Sequence, residues 1–172
     1  TGDNQVVSML FPMEKVFEAY VGAKLPLQLP DWRISEQATG RSLIEEHLGR
    51  RIFSLRPDLM LTNAHRCVIG DTKWKLIDQN NRSDKYGISQ SDIYQLFGYT
   101  KKYLAGLRYK EVLLIYPACD TFDRPLSPFW YKEGEEVLHV VPYDLANETL
   151  VLPSDSQLQQ SEQHLAVSWI RD

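Results

Sequence analysis

Between residues 53 and 77, apolar and polar side chains alternate, which predicts two antiparallel strands joined by a turn at Ala64-His65. Partners in an antiparallel ladder project to the same side of the sheet, and successive side chains alternate between its two faces. One face of this hairpin is therefore expected to belong to the core. Its expected pairs are Leu61 with Val68, Leu59 with Gly70, Leu55 with Trp74 and Phe53 with Leu76.

The other face of the predicted hairpin carries charge. Its expected pairs are Asp58 with Asp71, Arg56 with Lys73 and Ser54 with Lys75. Opposed Cβ atoms lie about 4.5–5.5 Å apart, so two carboxylates there repel unless a cation separates them or one is protonated. Mg²⁺ binds one or two carboxylates together with phosphate oxygens and water, and it would relieve that repulsion. Lys73 points to the same side as Asp71 and could orient a water molecule or stabilise charge on a phosphate. A bulge would instead place the two aspartates diagonally.

A helix is predicted before the hairpin, over residues 12–21, with apolar residues at 13, 16, 17, 20 and 21. Glu18 lies beside the apolar stripe of this helix. It is either a solvated glutamate or a carboxylate that reaches toward the metal site. Pro26, Pro30 and residues 28–40 are expected to form a connection without assigned structure. Residues 42–48 are predicted to form a short helix.

A second helix is predicted from Ser89 or Ser91, as N-cap, to residues 105–106. The polar loop at 78–87 before it either holds substrate or is an ordinary surface loop. One side of the helix suits contacts with phosphates or bases, although a core helix whose tyrosines find local partners is the competing interpretation. The residues that align on this side are Asp92, Gln95, Tyr99 and Tyr103.

Residues 111–117 form a continuous apolar run that ends at a proline, which is typical of a strand covered on both faces. After the strand at 68–77 and the second helix, this strand would complete a right-handed crossover and lie parallel in the sheet. A strand at 137–141, a polar stretch at 151–163 and a terminal edge strand at 165–170 are also predicted. The length of 172 residues suits one domain, so we expect a single α/β domain with a mixed sheet flanked by helices.

Charge and composition narrow the function classes. The net charge of −4 argues against a generally basic nucleic-acid coat. Residues 50–110 nevertheless hold 12 Lys and Arg against 5 Asp and Glu, whereas the remainder holds 7 against 18, which supports a phosphate-facing site near the hairpin. Two cysteines, and no run near the ~20 apolar residues of a membrane span, indicate a cytoplasmic protein. Since the chain begins with Thr1 and has no signal-like segment, we expect it to be either a trimmed chain or the later part of a longer protein.

Other chemistries find no local support. The four histidines are too scattered for a zinc site and are expected to be structural or exposed. No glycine-rich phosphate loop and no serine in a nucleophile elbow occur in the sequence. Nucleotide hydrolysis and acyl transfer are therefore not indicated.

Short motifs around the hairpin resemble those of a known nuclease superfamily. Pro57-Asp58, followed by Asp71-Thr72-Lys73, is similar to the PD-(D/E)xK motif of restriction-endonuclease-like nucleases. Glu18 matches the place of their helical glutamate, and Gln95-Leu96-Phe97-Gly98-Tyr99 matches the Q-x-x-x-Y helix of the RecB-like branch. The chain also resembles the McrC family, the nuclease subunits of McrBC modification-dependent restriction systems. That likeness spans roughly residues 10–118 and rests on residues 13–21, 55–58, 71–75 and 92–96.

The resemblance implies a restriction-endonuclease-like fold and a Mg²⁺-dependent endodeoxyribonuclease, with Mn²⁺ as the alternative ion. It implies that Asp58 and Asp71 bind metal, that Lys73 is the catalytic lysine and that Glu18 adds a further metal-binding carboxylate. DNA methylated at a base such as 5-methylcytosine would be read by a McrB-like AAA+ GTPase partner, and this chain would cut without reading sequence. All 172 residues would form the nuclease domain, without the N-terminal region that recruits the subunit. Supporting roles would fall to Gln95, Tyr99 and Lys75.

Two other functions fit the same residues. A repair or recombination nuclease shares the core motif, and only the wider McrC-like flanks separate it from a restriction nuclease. A non-catalytic DNA-binding or assembly module could keep the same fold. Such a module would be expected to have lost an aspartate or the lysine, whereas Asp58, Asp71 and Lys73 are all present.

Overall fold

The computed structural model describes residues 12–132 and 134–159, which form two α-helices, one 3-10 helix and nine strands. The helices are α1 (Met13–Gln28) and α2 (Gln90–Tyr103), and the 3-10 helix spans Arg82–Gly87. The predicted strand at 165–170 lies outside the described residues. The strands are β1 (Arg33–Glu36), β2 (Arg41–His47), β3 (Arg50–Leu55), β4 (Leu59–Thr62), β5 (Cys67–Thr72), β6 (Lys110–Pro117), β7 (Phe129–Lys132), β8 (Glu136–Asp144) and β9 (Thr149–Leu150).

Seven of the described strands form one mixed sheet, and β2 and β3 form a separate hairpin. The order in the sheet is β1-β4-β5-β6-β8-β7, and β9 pairs with the C-terminal end of β8. Strands β5, β6 and β8 are parallel to one another, and the remaining neighbours are antiparallel. Because α2 connects β5 to β6, this confirms the predicted parallel placement of the strand at 111–117.

The sheet is covered by α1 on one face and by α2 on the other. Side chains of β6 alternate between the two layers, as a strand with a two-residue period must. Leu113 and Ile115 join the cluster beneath α1, whereas Val112 and Leu114 join the cluster beneath α2. This arrangement confirms the predicted single domain with a mixed sheet flanked by helices.

The predicted hairpin register is confirmed near the turn and is wrong farther from it. Strands β4 and β5 pair Leu59 with Gly70 and Leu61 with Val68, as expected. Residues 50–55, however, pair with β2 and not with the chain that follows β5. The expected pairs that do not form are Arg56 with Lys73, Leu55 with Trp74, Ser54 with Lys75 and Phe53 with Leu76.

Two features end the β4–β5 ladder where it does. Pro57 has no backbone N–H to donate, so the strand cannot continue through it with full pairing. On the other side, the Lys73 N–H donates to the Ile115 carbonyl at 2.9 Å, so the chain leaving β5 follows β6. Trp74 therefore packs on Phe17 of α1, with ring centroids 5.4 Å apart.

Residues 42–48, predicted as a short helix, lie mostly in strand β2, and this prediction is wrong. The turn that follows contains Leu48 and Gly49 at φ values of 50° and 76°. Two consecutive positive φ values are what a two-residue type I′ hairpin turn needs. Pairing with β3 thus outweighs the local helix preference, which is a weak determinant beside tertiary context.

Both long helices that the sequence predicts are confirmed. Helix α1 continues past residue 21 and through Pro26, and it ends with a 2.9 Å bond from the Leu29 N–H to the Leu25 carbonyl. Helix α2 begins after Ser89, whose hydroxyl accepts a hydrogen bond from the Ser91 N–H at 3.2 Å. Among the helices of the described residues, none is long and apolar enough to cross a membrane.

The C-terminal third adds elements that the sequence predicts only in part. The strand expected at 137–141 is confirmed and extends over the whole of β8. The polar stretch at 151–159 has no regular structure, yet Ser156, Gln157 and Leu158 in it are buried. The sequence did not predict β1, β7 and β9, which are four residues long or shorter.

Candidate active site

Asp58 lies directly before β4, beside the end of β5, and two bonds from one residue hold its carboxylate. The backbone N–H and the hydroxyl of Thr72 donate to Asp58 Oδ2 at 2.8 and 2.9 Å. Gln37 donates its backbone N–H to the Asp58 carbonyl at 2.9 Å, and its amide nitrogen lies 3.4 Å from Oδ1. The Asp58 side chain is therefore anchored to the residue next to Asp71.

Asp71, the second-to-last residue of strand β5, is 1% exposed. Its Oδ2 contacts the Lys73 ammonium as an ion pair, yet no described group donates a well-oriented hydrogen bond to this buried oxygen. Burial raises the pKa of Asp71 to about 6, and the negative charge of Asp58 adds to the shift. Lys73 opposes the shift but does not cancel it, so the two aspartates repel each other as expected from the sequence.

Lys73 is surrounded by acceptors and stays charged. Burial lowers its pKa, but the carboxylates around it, led by Asp71, outweigh burial and raise the pKa above its usual value. Its ammonium lies 3.3 Å from Gln95 Oε1 and 4.0 Å from Asp92 Oδ1, both on α2. The site therefore holds a fixed positive charge next to Asp71.

Residues on one side of α2 connect the Lys73 ammonium to Arg56, in the segment that precedes β4. Gln95 Nε2 donates to the Tyr99 hydroxyl at 2.6 Å, and that hydroxyl donates to the Arg56 carbonyl at 3.0 Å. Burial raises the pKa of Tyr99 well above its usual range, so the phenol remains neutral. Of the residues predicted to align on one side of α2, Asp92, Gln95 and Tyr99 therefore lie against the site.

Glu18 approaches from the opposite face of the sheet, on α1, and is nearly buried. It accepts hydrogen bonds from Lys15 Nζ at 2.6 Å and from the Gln37 side chain, so Gln37 lies between Glu18 and Asp58. Within residues 12–132 and 134–159, no three His, Cys, Asp or Glu side chains are grouped as metal ligands. Glu18 therefore contacts the site through Gln37 in this arrangement.

Lys75 and Tyr103 lie outside the group formed around Asp71. The Lys75 ammonium donates to the Gly87 carbonyl at 2.6 Å and so holds the end of the 3-10 helix. Tyr103 Oη lies 3.1 Å from the Ala38 carbonyl and 2.9 Å from the Leu55 carbonyl. Both residues fix neighbouring segments and do not contact Asp58 or Asp71.

The donor set of Asp58 and Asp71 fits a divalent cation such as Mg²⁺. Such an ion prefers oxygen ligands and commonly takes one or two protein carboxylates, with phosphate and water completing the shell. The fit is supported by the buried Asp71 Oδ2 and by the repulsion between the two aspartates, which a cation would remove. With Lys73 beside them, these groups can stabilise the negative charge that develops on a phosphate.

Two residues of the site, Thr72 and Gln37, were not predicted from the sequence, and a third, Asp92, was predicted without its partner. Thr72 could have been found, since it lies between Asp71 and Lys73 in the sequence. Asp92 was placed on the correct side of α2, but not assigned to Lys73. Gln37 has no local signal, because it reaches Asp58 from a loop with its own φ at 50°.

Comparison with known proteins identifies the family of the chain. Residues 1–117 match the model of a family described as "McrBC 5-methylcytosine restriction system component". The matched range ends with β6 and includes every residue that the sequence assigned to the site. No curated protein matches the chain. The match covers more than half of the 172 residues and confirms the family resemblance. The chain therefore belongs to the family of McrBC 5-methylcytosine restriction system components.

Proposed function

We propose that this restriction-system component is the McrC-like nuclease subunit, which hydrolyses phosphodiester bonds in DNA. The observation that carries the proposal is the pair of bonds from Thr72 to Asp58, which holds one carboxylate beside the buried Asp71. Two carboxylates and the Lys73 ammonium then lie together at the end of β5. This is the combination of groups that metal-assisted phosphodiester hydrolysis uses.

Each residue of this group has a distinct proposed role. Asp58 and Asp71 would hold Mg²⁺, or Mn²⁺ in its place. When bound, the ion would supply Lewis-acid stabilisation of the phosphate and a lowered pKa for a water ligand. Lys73 would turn from Asp71 to a phosphate oxygen as negative charge grows there. Gln95, 3.3 Å from Lys73, would keep that ammonium directed at the site.

The outer residues would position the inner ones. Tyr99 fixes the Gln95 amide and the Arg56 carbonyl at once. Glu18 would orient Asp58 through Gln37, and it would reach the metal itself after Lys15 and Gln37 release it. Such supporting contacts typically matter by 10- to 100-fold in metal affinity or activity.

Recognition of the modified base would belong to a separate subunit. The positive segment at 50–110 suits attraction to a DNA backbone of any sequence. A McrB-like AAA+ GTPase would therefore choose the methylated site and recruit this chain to it. Cleavage would depend on both proteins, on GTP and on the divalent ion.

The test is a cleavage assay on methylated DNA with the chain, its AAA+ partner, GTP and Mg²⁺. Asp58→Ala, Asp71→Ala and Lys73→Ala are each expected to lower the cleavage rate about 100-fold or more. EDTA should abolish cleavage, and added Mg²⁺ should restore it. Asp123→Ala and Lys132→Ala remove equal charges at exposed positions and should cut like the wild type. Cleavage by the three site variants at the wild-type rate would overturn the assignment.

A non-catalytic module on the same fold is the second candidate. It is favoured by the ion pair of Lys73 with Asp71, which partly neutralises the buried carboxylate without a metal. In that case the wild-type chain would bind DNA and never cut it, with any divalent ion. A repair or recombination nuclease would be distinguished by equal cleavage of methylated and unmethylated duplexes without GTP.

A further inference from the structure

The β2–β3 hairpin stands apart from the main sheet and packs on α2. At its base is a cleft of about 240 Å³ that opens to solvent. We call it the arginine cleft, because three arginines line it and the other lining residues are small or polar apart from one leucine. Its lining residues are Thr39, Gly40, Arg41, Ser42, Arg51, Ser54, Leu55 and Arg56.

The arginine cleft has an excess of positive charge. No carboxylate is among its lining residues, and no described carboxylate lies within ion-pair distance of Arg41 or Arg56. Arg51 lies 3.6 Å from Glu45, but both side chains are more than half exposed, so this pair is weak. Guanidinium groups on one cleft repel one another, and they are suited to bind a shared anion through several donors.

The floor of the cleft is held rigidly by two tyrosines of α2. Tyr103 binds the Ala38 and Leu55 carbonyls, and Tyr99 binds the Arg56 carbonyl. These bonds fix both chain segments from which the arginines project. A site that is already ordered loses little conformational entropy when it binds a ligand.

One lining residue of the cleft is also close in the chain to the candidate active site. Arg56 precedes Asp58 by two residues, a chain distance of at most about 7 Å. Successive phosphates of one DNA strand rise only 3.4 Å along the helix axis. A strand with one phosphate at Asp58 would therefore have a neighbouring phosphate within reach of Arg56.

We propose that the arginine cleft binds a backbone phosphate of the DNA strand, near the phosphate placed at Asp58 and Asp71. Arg41 and Arg51 contact the phosphate from the hairpin, and Arg56 contacts it from the segment that leads to the aspartates. The choice of DNA as the ligand rests on the proposed nuclease function. The cleft positions the strand for cutting and does not read its bases, since phosphate contacts carry no sequence information directly.

The test measures DNA binding without any cutting. Fluorescence anisotropy of a fluorescein-labelled duplex is recorded with the 172-residue chain in EDTA, over a range of salt concentrations. The double variant Arg41→Ala/Arg51→Ala is expected to bind about tenfold more weakly, with a salt slope up to about 1 smaller in magnitude, because one phosphate contact is lost. Arg56→Ala should add a further loss. The matched control, Arg108→Ala/Arg124→Ala, removes two exposed arginines that do not line the cleft and should bind like the wild type.

Each result bears on the proposal. Wild-type affinity and salt slope in the cleft variants, or no measurable binding by the wild-type chain, would overturn it. Free GTP and inorganic phosphate provide a further check. If either displaces the duplex from the wild type at concentrations that leave duplex binding by the control variant unchanged, the cleft is a site for a small anion and the proposal is overturned. If the wild type binds through the cleft but never cuts with Mg²⁺ and its partner, the nuclease proposal fails and the cleft assignment stands.

Discussion

Thr72 donates both its backbone N–H and its hydroxyl to one oxygen of Asp58, at 2.8 and 2.9 Å. Only Oδ2 is used in this way, and Oδ1 lies 3.4 Å from the Gln37 amide nitrogen. Thr72 lies on the opposite face of β5 from Asp71, because successive strand residues alternate. One residue of β5 thus supplies a carboxylate, and the next residue positions a second carboxylate beside it.

Replacement of Thr72 by Val should remove the hydroxyl bond and keep both the side-chain shape and the backbone bond. We expect a loss of about 1 kcal/mol in the free energy of unfolding. We expect a larger effect on function, about tenfold weaker Mg²⁺ binding, because Asp58 would be free to rotate. Isothermal calorimetry and thermal denaturation measure the two quantities. Thr149→Val, in the two-residue strand β9 away from the site, is the control. Unchanged Mg²⁺ affinity in Thr72→Val would contradict the positioning role.

Asp71 should make the stability of the protein depend on pH. Its pKa is about 6 in the folded chain and near 3.8 when unfolded. The folded state therefore holds its proton more tightly, and stability falls as pH rises from about 4 to about 6. By linkage, the full effect is at most about 3 kcal/mol. Asp71→Asn should lose this slope, so that its melting temperature in EDTA exceeds that of the wild type at pH 7.5.

Asp71→Asn also distinguishes the effect of Asp71 on stability from its role in metal binding. Mg²⁺ should raise the melting temperature of the wild type at pH 7.5 and leave Asp71→Asn unchanged, since ligand binding to the folded state alone stabilises it. Asp123→Asn, at an exposed position, should behave like the wild type. An identical pH slope in Asp71→Asn and the wild type would show that Asp71 is not the responsible group.

The two tyrosines of α2 should have different effects on the reaction. Tyr99→Phe removes the hydroxyl that accepts from Gln95 Nε2 and donates to the Arg56 carbonyl, and we expect kcat to fall about tenfold. Tyr103→Phe frees the Leu55 and Ala38 carbonyls at the base of the hairpin. We expect it to weaken DNA affinity about threefold and to change kcat less than Tyr99→Phe does. Single-turnover kinetics and anisotropy measure these values, and the reverse order of effects would contradict both assignments.

Glu136 should stabilise the fold at neutral pH, far from the site. Its nearly buried carboxylate binds Lys101 at 2.7 and 2.8 Å and Lys110 at 2.8 Å, and so ties the end of α2 to β8. Hydrogen bonds from these lysines hold its pKa below the usual value. The stabilisation is therefore present above about pH 4.5 and is lost as pH falls through the folded pKa.

Glu136→Gln is expected to lower the free energy of unfolding by about 1–3 kcal/mol at pH 7, and by much less below pH 4. Urea denaturation at the two pH values measures the difference. Glu135→Gln, whose carboxylate pairs with exposed Lys132, provides the matched control and should change little. A loss of equal size at both pH values would exclude an electrostatic cause.

The sequence alone located most of the candidate site. The alternation around the turn at Ala64-His65 predicted the register of β4 and β5, because a half-buried strand pair must bury its apolar face. The helical period predicted that Gln95 and Tyr99 share a side of α2 with Asp92. These patterns are local, so they could be read without knowledge of the remaining chain.

Tertiary structure decided the partners that local patterns do not specify. The strand pattern of residues 50–55 is compatible with pairing either to β2 or to the chain that follows β5. Only the break at Pro57 and the type I′ turn at Leu48-Gly49 direct these residues to β2. The arrival of Gln37 between Glu18 and Asp58 likewise depends on how a loop crosses the sheet edge. The sequence determined which residues carry the charge of the site, because that follows from composition and period. The fold decided which of them touch, because contacts between distant segments depend on the packing of the whole domain.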